Sequence, residues 1–228
     1  MLEFDEAAAR HIERTYATPD VVAQRAEVLA LLDPRPGERA LDVGYLVASI
    51  ADLVGATGTV HGVDPSAAMN SLAAARNVDR PWVEIDQGDA LALPYPDGFF
   101  DVAVSTQVYE YVADVAAALA ELRRVLRPGG RVLVLDTDWD SVIWHVADRE
   151  RHARVLAAGE EHLVHPRLPR TLAGLARRAG FRVTGRQGLT AADADAWLTD
   201  PRARAADGDY FFSMNRYCVL ATAEGGRA

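Results

Sequence analysis

Residues 39–44 read Arg39-Ala40-Leu41-Asp42-Val43-Gly44, a short, largely apolar run that closes on a glycine and carries an acid near its end. Residues 59–64 read Thr59-Val60-His61-Gly62-Val63-Asp64 and again finish on an acid. Helical periodicity occupies most of the stretch between them. Two buried strands joined by a helix, with acids at the strand ends, are typical of a nucleotide-type cofactor site at the carboxyl edge of a parallel sheet.

Strand and helix signals alternate along the rest of the chain. We predict helices over 21–32, 46–54, 65–76, 114–126 and 171–180, and strands over 39–44, 59–64, 82–85, 100–105, 131–136, 181–189 and 212–223. Residues 137–168, rich in Trp, His and charge, are predicted to be helical. The alternation predicts an α/β fold, a doubly wound and mostly parallel sheet whose final strand pair is antiparallel.

Composition limits the class of protein. The chain has 228 residues, half of them hydrophobic, which is enough for one sizeable core. Its net charge of −9 argues against a nucleic-acid partner. One cysteine excludes a disulfide framework and fits a reducing cytoplasm, while the acidic N-terminus is unlike a secretory signal. No apolar stretch is long enough to predict a membrane span. We therefore expect a cytoplasmic protein that binds a small molecule, of undetermined oligomeric state.

Six motifs follow one another in a fixed order: Leu41-Asp42-Val43-Gly44, Val63-Asp64-Pro65-Ser66, Gly88-Asp89-Ala90, Leu93-Pro94-Tyr95-Pro96-Asp97, Phe100-Asp101-Val102-Ala103 and Leu126-Arg127-Pro128-Gly129-Gly130-Arg131. In this order and spacing they resemble the class I S-adenosylmethionine-dependent methyltransferases, closest to the small-molecule branch that includes the ubiquinone/menaquinone-biosynthesis type. The resemblance implies a single domain with a Rossmann-like methyltransferase fold. Its parts would be an N-terminal lid helix (1–24), a cofactor-binding core (25–136), acceptor-side helices and an edge strand (137–210), and a final strand and tail (211–228).

The resemblance implies that a set of residues contacts S-adenosylmethionine: Tyr16, Asp42, Gly44, Asp64, Pro65, Met69, Asp89, Ala90, Ser105 and Gln107. Asp42 and Gly44 are expected beside the methionine part of the cofactor. Asp64 is expected to accept hydrogen bonds from both ribose hydroxyls, which one carboxylate at a strand end can do. Asp89, with Ala90 beside it, is expected at the adenine amino group. For the three aspartates, the alternative is an ordinary role in capping turns.

The remaining contacts implied by the resemblance surround the adenine ring and face the methyl acceptor. Pro65 or Met69 would flank the ring. Tyr16 lies in a stretch that resembles the family's lid over the cofactor, although a helix packed on the sheet explains that stretch equally well. The segment from Ser105 to Gln107 follows the fourth strand and would line the cofactor on its acceptor side.

The sequence departs from the family directly after Gly44. Family members carry further glycines there, as in an Asp-x-Gly-x-Gly-x-Gly run, whereas here Tyr45-Leu46-Val47-Ala48 follows and the next glycine is Gly55. About four residues are missing on this alignment. Glycines allow positive φ angles and close approach of backbone N–H groups to a ligand. Either Tyr45 projects into the space of the methionine tail, or the helix begins later and a loop is restored.

Methyl transfer to a hydroxyl or phenol also needs a base. Asp138 and His145 are the principal candidates, and Glu110 is a third. The alternatives are helix capping for Asp138 and a packed or surface position for His145. Four aromatic side chains could wall an apolar acceptor pocket, or belong to the core: Tyr109, Tyr111, Trp139 and Trp144.

The sequence gives little sign of a metal site. His162 and His165 could share a helix face with Glu161, but no third well-placed ligand accompanies them, so we predict no metal. Cys218, in an alternating strand, is most simply a small buried hydrophobe. A single thiol also argues against the arsenite-methylating relatives.

Two functional classes follow from these observations. The first is S-adenosylmethionine-dependent methyl transfer to a small, apolar or aromatic metabolite. The second is a methyltransferase-fold protein that has lost cofactor binding through the shortened loop after Gly44, and acts as a binding or regulatory protein or as a cofactor-independent catalyst. The gap could also have been introduced into an active parent.

Overall fold

The computed structural model describes residues 17–44, 46–144, 148–188 and 212–225. The strands are β1 (Arg39–Val43), β2 (Thr59–Asp64), β3 (Val83–Gln87), β4 (Phe100–Thr106), β5 (Leu126–Trp144), β6 (Phe181–Gly188) and β7 (Phe212–Ala223). The helices are α1 (Pro19–Leu32), α2 (Val47–Val54), α3 (Ala67–Arg76), α4 (Val115–Val125), α5 (Arg149–Glu160) and α6 (Pro169–Arg178), with a 3₁₀ turn at Tyr109–Tyr111.

The seven strands form one sheet in the order β3-β2-β1-β4-β5-β7-β6. Strands β1 to β5 are all parallel to one another. Strand β7 is antiparallel both to β5 and to the edge strand β6. This order reverses direction between β1 and β4, which is where open α/β sheets place their ligands. The predicted fold class, a doubly wound sheet with an antiparallel final pair, is confirmed.

Each face of the sheet carries its own hydrophobic core. From β1, Leu41 faces a cluster that includes Leu122 of α4, while its neighbour Ala40 faces a cluster that includes Ile50 of α2. Successive residues of a strand point to opposite faces, so a strand covered on both sides must be apolar throughout. This explains why the central strands read as continuous apolar runs.

The prediction that residues 137–168 are helical is wrong for its first part. Strand β5 continues as far as Trp144 and pairs with β7, with a register shift between Asp138 and Ile143. β-branched and aromatic residues in this stretch favour an extended chain once a partner strand is available. The pairing segment, beginning at Phe212, is distant in sequence, so local composition alone could not indicate it. Among the described residues of the stretch, only 149–160 form a regular helix.

No helix in the described part of the chain has both the length and the apolar character needed to cross a membrane. The helices predicted from periodicity otherwise occur within a few residues of their predicted positions. Helix α2 begins at Val47, after β1 ends at Val43, so a short turn separates strand from helix. Tyr45, which was expected either to fill the cofactor space or to be displaced by a restored loop, lies outside the described residues.

Candidate functional site

Asp42 and Asp64 lie at the same edge of the sheet. Strands β1 and β2 are parallel and in register, with Asp42 opposite Gly62 and Val43 opposite Val63. The negative charge of Asp64 is close enough to contribute to raising the pKa of Asp42. The two carboxylates therefore share one rim, the carboxyl ends of the parallel strands, which is called the carboxyl rim below.

A small cavity separates the ends of β1 and β2. Its volume is about 20 Å³, and its lining includes Gly44, Val47, Asp64, Met69 and Asn70. A cavity of this size holds about one water molecule. The described residues thus leave a crevice between the two strand ends, as expected, but the crevice itself is much smaller than a nucleoside.

Asp42 is fully buried and supports the turn that follows β1. One carboxylate oxygen, Oδ2, accepts a short hydrogen bond from the backbone N–H of Leu46, the residue before α2. The other oxygen, Oδ1, is buried and accepts no hydrogen bond from the described residues. Burial is the main cause that raises the pKa of Asp42 from 3.8 to about 7. Asp42 therefore combines the turn-capping role with one oxygen that a ligand could engage.

Gly44 makes the turn that a run of glycines makes in the family. Its φ is +139°, and a β-carbon added there would come within 3.3 Å of the Val108 side chain. A residue with a side chain would be strained in this conformation and would press on Val108. One glycine and one carboxylate thus hold the shortened connection between β1 and α2.

Substitution of Asp42 by asparagine is expected to flatten the dependence of folding stability on pH. Because the pKa rises on folding from 3.8 to about 7, the wild-type chain loses stability as pH rises through that interval. The loss attributable to Asp42 is about 4 kcal/mol, at about 1.4 kcal/mol per pKa unit. Asparagine does not ionise, and its amide oxygen can still accept from Leu46. Urea unfolding at pH 4.5 and at pH 7.5 measures the difference.

The matched control for that substitution is Asp79→Asn, which changes an exposed acid on the loop after α3. It is expected to leave the wild-type pH profile unchanged. Equal pH profiles for Asp42→Asn and the wild type would show that Asp42 ionises normally in the folded chain, and would refute this description of the turn.

Asp64 closes β2 and organises the start of α3. Its Oδ1 accepts a hydrogen bond of 2.7 Å from the backbone N–H of Ser66, and the Ser66 hydroxyl accepts from the N–H of Met69 at 3.4 Å. Burial raises the pKa of Asp64. Among the described residues, no donor engages its second oxygen. Met69 is buried beside the cavity, while Pro65 is exposed.

Asp89 lies next to the end of β2, in a turn of its own. The N–H of Gly88 donates to the backbone oxygen of Asp64 at 3.2 Å, which brings the segment after β3 against the rim. The Asp89 carboxylate accepts from the N–H of Leu91 at 2.9 Å, so it caps this turn, and Ala90 is buried. The structure therefore brings Asp89 and Ala90 to the same region as Asp64.

The ends of β4 and β5 provide the second half of the rim. Ser105 is completely buried, and its hydroxyl has no hydrogen-bond partner among the described residues. Gln107 has a φ of +57°, a left-handed conformation that is rare for residues other than glycine. Its N–H donates to Leu135 at 2.8 Å, and its side-chain amide contacts the Thr137 hydroxyl at 2.7 Å. Such strain persists where the surroundings enforce it, often at functional sites.

Two buried acids form the centre of this half of the rim. The Glu110 carboxylate accepts from the indole N–H of Trp139 at 2.8 Å, and the Glu110 backbone N–H donates to Asp136 Oδ1 at 3.4 Å. Each carboxylate keeps one buried oxygen with no partner among the described residues. Burial raises the pKa of both acids, and the charge of Glu110 raises that of Asp136 further. The pair therefore holds a proton more tightly than exposed carboxyls do.

Asp136 was not among the residues predicted from the sequence, and Glu110 was predicted only as a third base candidate. A usable signal was present, because Asp136 follows the apolar run 132–135 in the way that Asp64 follows its own strand. Tyr109 is also completely buried, with a hydroxyl that has no partner among the described residues. Glu110 itself lies on the 3₁₀ turn after β4, a position that no simple periodicity marks.

Asp138 has a different environment from the one a base needs. The guanidinium of Arg170, on α6, donates two hydrogen bonds to the Asp138 carboxylate, of 2.8 and 2.9 Å. The neighbouring Asp140 is paired with Arg167 at 2.6 Å. Both carboxylate oxygens of Asp138 are therefore occupied by the Arg170 guanidinium, which leaves neither oxygen free to meet a substrate proton.

The other predicted candidates are only partly described. Tyr16 and His145 lie outside the described residues, as does the side chain of Trp144. In the segment 148–188, Glu161, His162 and His165 do not converge as metal ligands. The His165 ring nitrogen instead lies 3.3 Å from the backbone oxygen of Ala113.

The sheet order is that of the class I methyltransferase topology, and the predicted acids lie at its carboxyl rim. Residues 41–134 match a family model described as a methyltransferase domain. Over this region the chain is similar to class I S-adenosylmethionine-dependent methyltransferases, and the curated relatives that share it include quinone methyltransferases. These findings do not support the alternative of a methyltransferase-fold protein that has lost its cofactor.

Two curated relatives show how far the similarity extends. The chain is 36% identical over 195 residues to an uncharacterized 37.1 kDa protein in transposon TN4556 of Streptomyces fradiae, a match that covers 83% of this chain and 56% of that protein. It is 40% identical over 109 residues to 2-phytyl-1,4-naphtoquinone methyltransferase of Synechococcus elongatus, covering 45% of this chain and 47% of the relative. The chain therefore spans about half the length of these curated relatives.

A solved structure supports the fold. Phosphoethanolamine N-methyltransferase 2 of Haemonchus contortus, in complex with S-adenosyl-L-methionine, superimposes with a TM-score of 0.67 at 16% sequence identity. The match covers 97% of this chain and 58% of that one. At this identity the similarity establishes the architecture of the sheet and helices.

Proposed function

We propose that this chain transfers the methyl group of S-adenosylmethionine to a small apolar or aromatic metabolite of the quinone class. The observation that carries the proposal is a set of buried oxygen atoms with no partner among the described residues, gathered at the carboxyl rim: Asp42 Oδ1, Ser105 Oγ, Tyr109 Oη, Glu110 Oε1 and Asp136 Oδ2. Buried polar atoms are normally hydrogen-bonded, so such a set indicates a place where a ligand supplies the missing partners.

The residues on the β1–β2 side fit the cofactor by their chemistry. Asp42 Oδ1 and Gly44 would meet the cationic methionine part, and the second oxygen of Asp64 would accept from the ribose hydroxyls. Asp89 and Ala90 would lie at the adenine amino group. The adenine ring would be flanked by further predicted contacts: Pro65, Met69 and Tyr16. Since the cavity between Gly44 and Asp64 holds only about one water, the cofactor would lie over the strand ends.

The bound cofactor supplies an already activated sulfonium methyl group, so the protein mainly has to align the acceptor and exclude water. Ser105 and Gln107 would face the acceptor side of the cofactor. In this proposal residues 25–136 hold the cofactor beneath a lid formed by residues 1–24, and the acceptor binds against residues 137–210, with 211–228 closing the sheet. We expect this reaction to occur in the cytoplasm, without a nucleic-acid partner.

Glu110 is the best-placed base among the three candidates. It has an unpartnered, buried carboxylate oxygen, and burial raises its pKa, which makes it a stronger base than an exposed carboxylate. Trp139, which donates to the other oxygen, holds the carboxylate in place. Asp138 is bound by Arg170 and is better suited to fixing α6 against β5. His145 remains a prediction for the same step.

The quinone class rests on the named relatives and on the aromatic residues around Glu110. An acceptor assay tests it directly. The purified chain is incubated with methyl-labelled S-adenosylmethionine and reduced 1,4-naphthoquinones with and without a 2-alkyl chain. Label is expected in the naphthol product, and an Asp64→Asn variant should transfer much less label at a cofactor concentration that does not saturate it. Label transfer to none of these acceptors by a chain that binds the cofactor would contradict the quinone assignment.

A further inference from the structure

A second cluster of ligand-type side chains lies away from the carboxyl rim, on β2 and the edge strand β3. His61 lies opposite Glu84 in the parallel register, and Asp86 follows two residues later, opposite Val63. Residues separated by two positions on a strand share a face of the sheet. The three side chains therefore project from one face, while Gly62 and Asp64, which line the rim cavity, alternate with His61 along β2.

The distances between the ligand atoms suit a small cation. His61 Nδ1 lies 3.5 Å from Asp86 Oδ2 and 3.7 Å from Glu84 Oε2. All three ligand atoms lie within 4.8 Å of one another. A tetrahedral zinc ion with bonds of about 2.0–2.1 Å separates its ligand atoms by about 3.4 Å. The two distances from His61 Nδ1 are close to this value, and the two carboxylate oxygens, which lie at most 4.8 Å apart, would move closer together around an ion.

His61 Nδ1 has no ordinary partner for its lone pair or proton. The histidine is 7% exposed, and Nδ1 is a buried atom without a hydrogen-bond partner among the described residues. A buried nitrogen left without a partner destabilises the folded chain unless a ligand engages it. The distances from His61 Nδ1 to the Glu84 and Asp86 carboxylate oxygens are too long for good hydrogen bonds. Ligand atoms that share one metal ion lie about this far apart.

The surroundings fix the orientation of two of the ligands. The ring of His61 makes edge contacts with Tyr95, Phe99 and Phe100 at centroid distances of 5.4, 5.5 and 5.4 Å. The Tyr95 hydroxyl donates to Asp86 Oδ2 at 3.0 Å. Groups that orient ligands in this way are a regular feature of metal sites and contribute to affinity.

The site is open to solvent on one side. The side chain of Glu84 is 64% exposed and that of Asp86 is 37% exposed, so an ion has a path of entry. One imidazole nitrogen and two carboxylates form a donor set that suits divalent first-row transition ions. Two negative charges also match a dication.

We propose that His61, Glu84 and Asp86 bind a divalent transition-metal ion of the Zn²⁺ type, with water completing its coordination, and that the ion clamps β3 to β2. Strand β3 is the outermost strand of the sheet, and among the described strands only β2 pairs with it. A metal bridge across these two strands would stabilise that edge. No metal was predicted from the sequence, because strand pairing rather than sequence spacing brings these ligands together.

Metal titration tests this proposal. Metal-free protein is titrated with Co²⁺, read by visible absorption, and with Zn²⁺, read by calorimetry. The wild type is expected to bind one ion per chain and to show the strong absorption of four-coordinate Co²⁺. His61→Gln should weaken binding at least about 100-fold, and Tyr95→Phe about 10-fold. Circular dichroism of each variant verifies that it folds.

The matched control is His162→Gln, which changes an exposed histidine outside the cluster. It is expected to bind the ion as the wild type does. If His61→Gln fails to fold, Glu84→Gln replaces an exposed ligand and should still weaken binding at least about 10-fold. Absence of binding by the wild type, or unchanged binding in the ligand variants, would overturn the proposal and leave a simple histidine–carboxylate ion pair.

Discussion

Replacement of Asp64 by asparagine is expected to weaken binding of S-adenosylhomocysteine about 100-fold. A hydrogen bond to a charged group contributes about 1.5–3 kcal/mol, and a loss of about 3 kcal/mol corresponds to roughly a hundredfold change in affinity. Asparagine keeps one oxygen, which can still accept from the Ser66 N–H, so the turn into α3 is preserved. The second oxygen, proposed to accept from the ribose, becomes an amide donor. Calorimetric titration measures the change.

Asp79→Asn is the matched control for this experiment, because it makes the same chemical change at an exposed loop position. It should bind S-adenosylhomocysteine with wild-type affinity. Affinity within a factor of two of wild type for Asp64→Asn would remove this aspartate from the cofactor site, and with it the main argument for how the rim binds a nucleoside.

Replacement of Glu110 by glutamine is expected to lower turnover by about 10²–10⁴, the usual contribution of a general base. Affinity for S-adenosylhomocysteine should remain within a factor of two, since Glu110 is proposed to face the acceptor and not the cofactor. Glutamine keeps an oxygen for the Trp139 indole N–H, so the local packing is conserved. The rate of methyl transfer to a reduced naphthoquinone measures the effect.

The pH profile distinguishes a base from a residue that only supports the site. A base must be deprotonated to act, so turnover of the wild type should decrease as the pH drops below the raised pKa of Glu110. This decrease at low pH should be absent from Glu110→Gln. Asp138→Asn is the comparison variant: it should reduce stability by weakening the Arg170 ion pair and leave the decrease at low pH in place. If the decrease of turnover at low pH is absent from Asp138→Asn and present in Glu110→Gln, the assignment of Glu110 as the base is wrong.

The central part of the fold could be predicted because the sequence patterns that indicate its strands and helices are local. Strands β1 and β2 each combine an apolar run with an acid at or near the end. Helix α2 is followed directly by Gly55, whose φ of +67° favours glycine. The extension of β5 beyond Asp136 could not be predicted in this way. That segment is extended because β7 pairs with it, and β7 lies far along the chain.

In the candidate site, too, some residues were predictable from local sequence signals, whereas others depend on tertiary contacts. Asp42 and Asp64 were predictable because parallel strands bring their carboxyl ends to one edge. The contact between Asp136 and Glu110 depends on a 3₁₀ turn that folds back over β5, and the ion pair of Asp138 depends on Arg170, 32 residues away. Tertiary contacts of this kind leave no trace in local periodicity.

The shortened connection after Gly44 makes cofactor binding the central question for this chain. Isothermal titration of S-adenosylhomocysteine into the unmodified protein addresses it without any assumption about the acceptor. One bound ligand per chain, with a dissociation constant in the micromolar range, is the predicted result. Absence of any binding heat at millimolar ligand would contradict the account.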